Sequence, residues 1–424
     1  MIQSTNMKNK LLLVLCFAFC IHAVAQKPVL FIGATAHLGN GKIIENSVIS
    51  VLNGKFDIVA DASMIRIDPS AFDTIYKIYN KHIYPGFIAP NTTLGLTEID
   101  AVRATHDYAE TGKINPNVRS LIAYNTDSKI INTVRTNGVL IAQVTPQGGL
   151  ISGQSSIVYL DGENWEDAVL KADDGIHINW PNSYYKTGWW AEPGKTKKNK
   201  EYQNKINELN KLFLKAKAYS SSNILDLRME SMQGLFDGSK NLYVHANSVS
   251  DIRDAIEFFN QFKIANITIV GGEDSDDIAT LLLSKNISLI LNRIHRLPKS
   301  QDCPIDEPYL QAKKLADLKI PFCLSYSGDM EAMGLRNLPF TAGTTITYGQ
   351  EYEEAVKSIT LDAAKILGIA DRVGSIEKGK DASFFISTGD ALDMISNNIV
   401  DAYIKGKKID LENHQKKLYN RYKK

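Results

Sequence analysis

Short apolar segments alternate with amphipathic segments from residue 242 onward, and no other feature of the sequence restricts the fold as strongly. The apolar segments predict strands at residues 242–245, 267–270, 287–291 and 321–325. The amphipathic segments predict helices at residues 251–263, 276–285, 310–318 and 351–367. Because a helix after each strand can return the chain to the same edge of the sheet, the pattern indicates a parallel sheet, either open or closed into a barrel.

The first half of the chain shows this pattern less clearly. Residues 29–80 are typical of small antiparallel strands, since Asn-Gly turns at 40–41 and 53–54 separate alternating segments. The remaining predictions are a helix at 130–136, a strand at 140–145, a glycine-rich loop at 147–154 and a long exposed excursion at 180–205. The chain therefore joins a small antiparallel region to a larger region of strand–helix units.

Residues 81–98 read KHIYPGFIAPNTTLGLTE and place polar side chains directly after an apolar segment. Residues 82–88 contain β-branched and aromatic side chains, which predict a buried strand. Asn91 and Thr93 follow it. An α/β barrel builds its active site from residues just past the C-terminal ends of its strands. This stretch therefore marks a place where a barrel would carry its site.

The same stretch resembles the first barrel strand of the amidohydrolase superfamily, in its imidazolonepropionase-like branch, where the strand reads approximately HVYPGFIDAHTHLGL. Residues 371–383 read DRVGSIEKGKDAS and are similar to the C-terminal signature of that family. The resemblance implies an α/β fold: a (β/α)8 TIM-like barrel with a small composite β domain made from both chain ends. The implied boundaries are 27–84 for the first half of the composite domain, 85–370 for the barrel, and 371–424 for the second half with a helical tail.

The resemblance also implies a metal centre, but the residues that would form it are largely replaced. Active members hold one or two divalent ions through His-x-His after the first strand, a carboxylated Lys or Glu after the fourth, His after the fifth and sixth, and Asp after the eighth. In this chain Ala89, Asn91 and Thr93 stand where the family pattern has Asp, His and His. Gly271 or Gly272 replaces the sixth-strand histidine, and no lysine matches the fourth-strand position.

Two of the implied positions keep a side chain capable of catalysis. His245 matches the fifth-strand ligand, and Asp329 follows the last strand, with Glu331 as its close alternative. We predict Asp329 and His245 as catalytic residues, although His245 could instead be a structural histidine held by hydrogen bonds. Glu273 lies beside the two glycines and is either a further ligand or a carboxylate at the start of a helix. His177 is predicted to face the barrel mouth or solvent.

Substrate binding is predicted for four residues: Asn91, Thr93, Arg293 and His295. The last two belong to a loop at residues 292–296, after the seventh strand, which gathers three basic side chains and an amide. Arg293 offers a planar fork that matches an anionic substrate group. The alternative is an ordinary solvated loop.

Residues 1–25 have the form of an export signal. Lys8 and Lys10 precede an apolar run at 11–19, and a small-residue cleavage motif follows at 23–25. The run is too short to span a membrane. We therefore expect an exported protein, periplasmic or secreted. An exported chain could pair Cys303 with Cys323, but we expect two unpaired thiols because Cys323 falls in a predicted buried strand.

The function implied by the resemblance is hydrolysis of carbon–nitrogen bonds other than peptide bonds, at a degenerate metal site. No cofactor is firmly predicted, and at most one divalent metal ion is expected, weakly bound. The alternatives are a non-catalytic protein that binds a ligand or a partner, and a non-standard hydrolase with a single ion. Expected partners are a small-molecule ligand or substrate, and either a second copy of the chain or a related hydrolase subunit.

Other classes of protein are disfavoured by charge and by missing motifs. The net charge of +1 argues against a nucleic-acid partner. The G-x-S-x-G motif of a nucleophile elbow is absent. The G-x-G-x-x-G motif that binds a dinucleotide does not follow any predicted strand.

Overall fold

The computed structural model describes residues 27–189, 191–219, 225–300, 302–328 and 330–423. The predicted export signal at 1–25 and the predicted catalytic residue Asp329 lie outside the described residues. Within the described ranges, no helix has both the length and the apolar character needed to cross a membrane.

The strands of the described residues are, in chain order, β1 Val29–Ile32, β2 Thr35–His37, β3 Ile43–Ile44, β4 Ser47–Leu52, β5 Lys55–Asp61, β6 Thr74–Lys77, β7 His82–Pro85, β8 Phe87–Thr92, β9 Val139–Val144, β10 Ile151–Tyr159, β11 Val169–Asn179, β12 Tyr184–Trp189, β13 Glu192–Lys198, β14 Asn241–Ala246, β15 Ile267–Gly271, β16 Ser288–Leu291, β17 Phe322–Leu324, β18 Phe384–Ser387, β19 Ile399–Ile404 and β20 Lys407–Lys408.

The α-helices are α1 Ser120–Ala123, α2 Lys129–Arg135, α3 Trp165–Ala168, α4 Tyr202–Lys217, α5 Leu227–Ser231, α6 Gln233–Asp237, α7 Val249–Gln261, α8 Ala279–Ser284, α9 Glu307–Asp317, α10 Glu331–Gly334, α11 Leu338–Thr347, α12 Tyr352–Ser358, α13 Leu361–Ile366 and α14 His414–Tyr422. Short 3-10 helices lie at Pro69–Ala71, Arg103–Thr105, Ser275–Ile278 and Leu335–Asn337.

Eight strands form a nearly closed barrel, in the order β8-β9-β10-β11-β14-β15-β16-β17. The predicted fold class, a TIM-like barrel, is confirmed. One strand departs from the ideal pattern: β10 runs antiparallel to both β9 and β11, whereas the other neighbouring pairs are parallel. Between the two edge strands, the backbone amide of Ile88 in β8 donates to the carbonyl of Ile359, which follows α12.

Strands from both ends of the chain share a six-stranded sheet outside the barrel, in the order β20-β19-β18-β7-β2-β3. Its central contact is the antiparallel pair of β7 and β18. A second sheet, with the order β5-β4-β1-β6, comes from the N-terminal segment alone. Side chains from both sheets, including Phe31, Ile49 and Phe384, meet in one buried cluster.

The strand predicted at 82–88 is two strands that belong to different sheets. β7 lies in the six-stranded sheet and β8 begins the barrel, with Gly86 between them. The Gly86 amide donates to the carbonyl of Ser383, and a Cβ there would lie 2.9 Å from the Cβ of Leu140. Only glycine lets the chain pass this closely from one sheet to the other.

Three other predicted elements differ from the structure. The helix predicted at 351–367 is interrupted at Thr360, whose hydroxyl donates to the carbonyl of Val356. The glycine-rich loop predicted at 147–154 ends at Leu150, because β10 begins at Ile151. The excursion predicted at 180–205 contains the hairpin of β12 and β13, and α4 begins within it.

Candidate functional site

A network of buried hydrogen bonds crosses the barrel interior around the carboxylate of Asp174. The hydroxyl of Ser155 donates to Asp174 Oδ1 at 2.7 Å, and the hydroxyl of Tyr243 donates to Oδ2 at 2.7 Å. The side-chain amide of Gln143 donates to the same Oδ2 at 3.0 Å. Gln143 Oε1 accepts the backbone amide of Asn91 at 3.0 Å. The network therefore links the first five strands of the barrel.

Burial is the largest influence on the pKa values of the acidic groups in this network. It raises the pKa of Asp174 above its usual value, against the effect of the hydrogen bonds from Ser155 and Tyr243. Burial and the neighbouring Asp174 raise the pKa of Tyr243 well above its usual value. None of these residues was predicted from the sequence, although polar side chains within apolar strands, such as Gln143 in VLIAQV, are a visible signal.

Two histidines lie next to this network. His177 Nδ1 lies 3.0 Å from His245 Nε2, and the His177 ring stacks on Tyr243 with centroids 4.6 Å apart. His177 is fully buried, so of the two predicted orientations, toward the mouth or toward solvent, the second is wrong. Its Nε2 atom has no hydrogen-bond partner within the described residues.

Both imidazoles are neutral at neutral pH. Burial lowers the pKa of His177 well below its usual value, and the neighbouring His245 lowers it further. Burial also lowers the pKa of His245, to about 4. A neutral histidine pair shares one proton across the 3.0 Å contact. The pair can therefore donate or accept hydrogen bonds, but it carries no positive charge.

Glu331 lies against Thr92, the last residue of β8, and Thr93, the residue that follows it. Its Oε2 accepts the hydroxyl of Thr92 at 2.8 Å, and its Oε1 accepts the hydroxyl of Thr93 at 2.5 Å together with the Thr93 backbone amide. The side chain is buried. Burial raises the pKa of Glu331 to about 7, although all three hydrogen bonds favour the ionised form. The carboxyl therefore titrates near neutral pH.

Asn91 is buried and adopts a left-handed backbone conformation with φ of 52°. Asparagine is one of the residues that tolerates this region best. Asn91 and Thr93 therefore lie at the C-terminal end of β8, where Glu331 contacts Thr93, and this is the end at which a barrel builds its site.

The side chain of Asn247 occupies the space that a histidine after the sixth strand would need. A Cβ added to Gly271 would lie 2.2 Å from Asn247 Oδ1, and Gly271 has φ of 105°. An imidazole at residue 271 would therefore strain the backbone and displace Asn247. Asn292 donates to Asn247 at 3.4 Å and accepts the hydroxyl of Ser327 at 3.1 Å, which closes this side of the mouth.

The two predicted substrate-binding residues of the seventh-strand loop have different neighbours. Arg293 lies over the ring of Tyr326, 5.2 Å from its centroid. His295 Nε2 contacts the hydroxyl of Thr344 in α11 at 2.7 Å, and burial lowers its pKa. Glu273 lies 3.8 Å from Arg296.

The side chains at the barrel mouth do not fit a centre of two metal ions. Among the described residues, no group of three His, Cys, Asp or Glu side chains is placed to hold a metal ion. The first-strand ligand positions hold an amide and a hydroxyl, which bind transition ions weakly. Cys303 and Cys323 are both free thiols, and Cys323 is buried in β17.

Comparisons with known proteins agree with this architecture. The amidohydrolase family model matches residues 328–409. An imidazolonepropionase from Erwinia tasmaniensis is 27% identical over 146 residues, which is 34% of each chain, so this chain spans about a third of the curated relative it matches.

Solved structures share the fold at low identity. An amidohydrolase from Thermotoga maritima is 23% identical, with a TM-score of 0.78 over 90% of this chain and 99% of the other. An adenosine deaminase from Xanthomonas campestris with bound zinc is 14% identical, with a TM-score of 0.53 over 92% of this chain and 96% of the other. The family match and the sequence relative each cover part of this chain and are similar to it in sequence, and the solved amidohydrolase structure shares its fold.

Proposed function

We propose that this protein hydrolyses carbon–nitrogen bonds other than peptide bonds at the barrel mouth, without the two-ion centre of its active relatives. The observation that carries the proposal is the buried Glu331 carboxyl, whose pKa is raised to about 7. A carboxyl with this pKa can take and return a proton near neutral pH, as general acid–base catalysis requires. Glu331 also follows the last barrel strand, where the resemblance places the catalytic aspartate.

The proposed reaction uses the chain's own residues in separate roles. Glu331 removes a proton from the attacking water as the water oxygen bonds to the carbonyl carbon. The same proton then moves to the leaving nitrogen as the carbon–nitrogen bond breaks. His245, neutral and at the end of β14, orients the carbonyl by a hydrogen bond. Asp329 is the second candidate acid, and Asn91, Thr93 and Arg293 bind the rest of the substrate.

A non-catalytic binding protein is the second candidate, and one observation favours it. The Glu331 carboxylate is already satisfied by donors from Thr92 and Thr93, one of which replaces a family ligand. Such a closed cluster stabilises the mouth without leaving an obvious place for water. A ligand or a partner subunit would then bind to the residues around the barrel mouth and would not contact the Glu331 carboxylate.

An activity assay separates the two candidates. The probes are imidazolonepropionate, chosen from the relative's activity, and a set of N-acyl amino acids. We expect the native protein to hydrolyse at least one probe, and Glu331→Gln to lower kcat by about 10²–10⁴-fold. The matched control is Glu353→Gln, since Glu353 contacts His37 of β2, outside the barrel sheet, at 2.6 Å, and its kcat should match the native value. No turnover of any probe, or native turnover in Glu331→Gln, would refute the catalytic proposal.

We also propose that the protein is exported, with cleavage after Ala25. The support is the basic start, apolar run and small-residue motif of residues 1–25. N-terminal sequencing of protein from the native host should begin at Gln26. A full-length chain in the cytoplasm would show that the proposal is wrong.

A further inference from the structure

The hairpin of β12 and β13 forms a two-stranded sheet of its own, separate from the barrel sheet. It exposes three large aromatic side chains: Tyr184 is 57% exposed, Tyr185 47% and Trp189 56%. A two-stranded hairpin with solvent on both faces is only marginally stable in water. Exposed aromatic side chains on such a ribbon are typical of a site that binds another protein or a membrane.

The same segment carries a concentrated positive charge. Residues 184–200 contain five lysines and one glutamate, a net charge of +4, whereas the whole chain carries only +1. Within the described residues, none of these five lysines forms an ion pair with an acidic side chain. Lys186 Nζ donates to the backbone carbonyl of Lys299 at 2.7 Å. The positive field of the hairpin is therefore available to an anionic partner.

The strand register mixes aromatic and basic side chains on both faces of the ribbon. Tyr184 pairs with Lys198, and Tyr185 with Lys197, so each face carries a tyrosine beside a lysine. Tyrosine and tryptophan favour the headgroup level of a membrane, and lysines attract the anionic lipids around them. We propose that this hairpin docks the protein on the surface of a membrane rich in anionic phospholipid.

A lipid surface fits this hairpin better than a folded partner does. Lipid headgroups can surround the exposed side chains on both faces of the ribbon, whereas a rigid protein would cover one face. The hairpin follows the C-terminal end of β11, which is the mouth end of the barrel. Docking would therefore turn the mouth toward the membrane. The proposal is independent of whether the barrel catalyses a reaction.

The C-terminal helix provides a matched control. Its Gln415 accepts the hydroxyl of Thr133 in α2, next to the start of β9, so the helix lies at the opposite end of the barrel from the hairpin. It also carries exposed lysines and tyrosines. A flat surface can reach only one of these two ends at a time.

Vesicle co-sedimentation tests the proposal with the full-length mature protein. We expect binding to phosphatidylcholine vesicles that contain phosphatidylglycerol, weaker binding as salt rises, and none to pure phosphatidylcholine. Replacing Lys195, Lys197 and Lys198 together by glutamine should lower the partition coefficient about a hundred-fold, at about five-fold per lysine. Tyr184→Ser should lower it several-fold. Lys416→Gln with Lys417→Gln and Lys423→Gln should leave it unchanged. Unaltered thermal melting will show that the variants fold.

Three outcomes would overturn the proposal. The first is no binding to phosphatidylglycerol vesicles. The second is an equal loss of binding in the hairpin and C-terminal variants, which would indicate unspecific attraction of positive charge. The third is retention on heparin without retention on vesicles, which would assign the hairpin to a soluble polyanion.

Discussion

Replacing Asp174 by alanine is expected to lower the free energy of unfolding by about 3–5 kcal/mol. The change would leave three buried donors without their acceptor, on Ser155, Gln143 and Tyr243. Each unsatisfied buried group costs about 1–3 kcal/mol, and partial rearrangement recovers some of this. The removed carboxyl also leaves a cavity inside a packed barrel. Urea denaturation followed by intrinsic fluorescence measures the loss.

The neighbouring Asp173 provides the control. Its carboxylate accepts from Arg119 Nε at 2.8 Å at a partly exposed position, where such pairs contribute at most about 1 kcal/mol. Asp173 has a φ of 50°, which asparagine tolerates, so Asp173→Asn removes the charge with little backbone strain. Equal destabilisation by the two substitutions would show that the Asp174 network does not hold the barrel interior together.

Between about pH 4.5 and pH 7, the free energy of unfolding should fall less in Glu331→Gln than in the native protein. The pKa of Glu331 is about 7 in the folded state, against an ordinary value of 4.5. Because the folded pKa is raised, the contribution of this group is complete below pH 4.5 and is lost as pH rises through 7. At 1.36 kcal/mol per unit, the loss is about 3 kcal/mol.

The measured quantity is the difference in unfolding free energy between native protein and Glu331→Gln at a series of pH values. His177 and His245 have lowered pKa values, so they act in the opposite direction, but they are present in both proteins and cancel in the difference. The difference should fall by about 3 kcal/mol between pH 4.5 and pH 8. A constant difference across this range would mean that the Glu331 carboxyl is solvated like a surface group.

Much of the barrel could be predicted from the sequence because its strands and helices have regular periods. The strand predicted at 267–270 is observed as β15, and the helix predicted at 251–263 as α7. The split of residues 82–88 between two sheets could not be predicted. Both strands are apolar, and only the tertiary contact between Gly86 and Leu140 shows where the chain changes sheet.

The site shows a similar division. The loss of the two histidines, at Asn91 and Thr93, was visible in the sequence, because the spacing of a motif is a local property. The contact between Thr93 and Glu331 joins residues 238 positions apart, and the pair of His177 and His245 joins residues 68 apart. No periodic pattern records such contacts. The buried position of His177 likewise depends on strand register, which the fold alone decides.

Elemental analysis of protein purified without chelators tests the central claim most directly. The claim is that Asn91, Thr93 and Gly271 leave the mouth without the ligands of a two-ion centre. An open catalytic zinc site normally needs three protein ligands. We predict well under one equivalent of tightly bound transition metal per chain, and metal gained when Asn91→His and Thr93→His are combined. Two equivalents of zinc or manganese in the native protein, lost together with activity on chelation, would contradict the account.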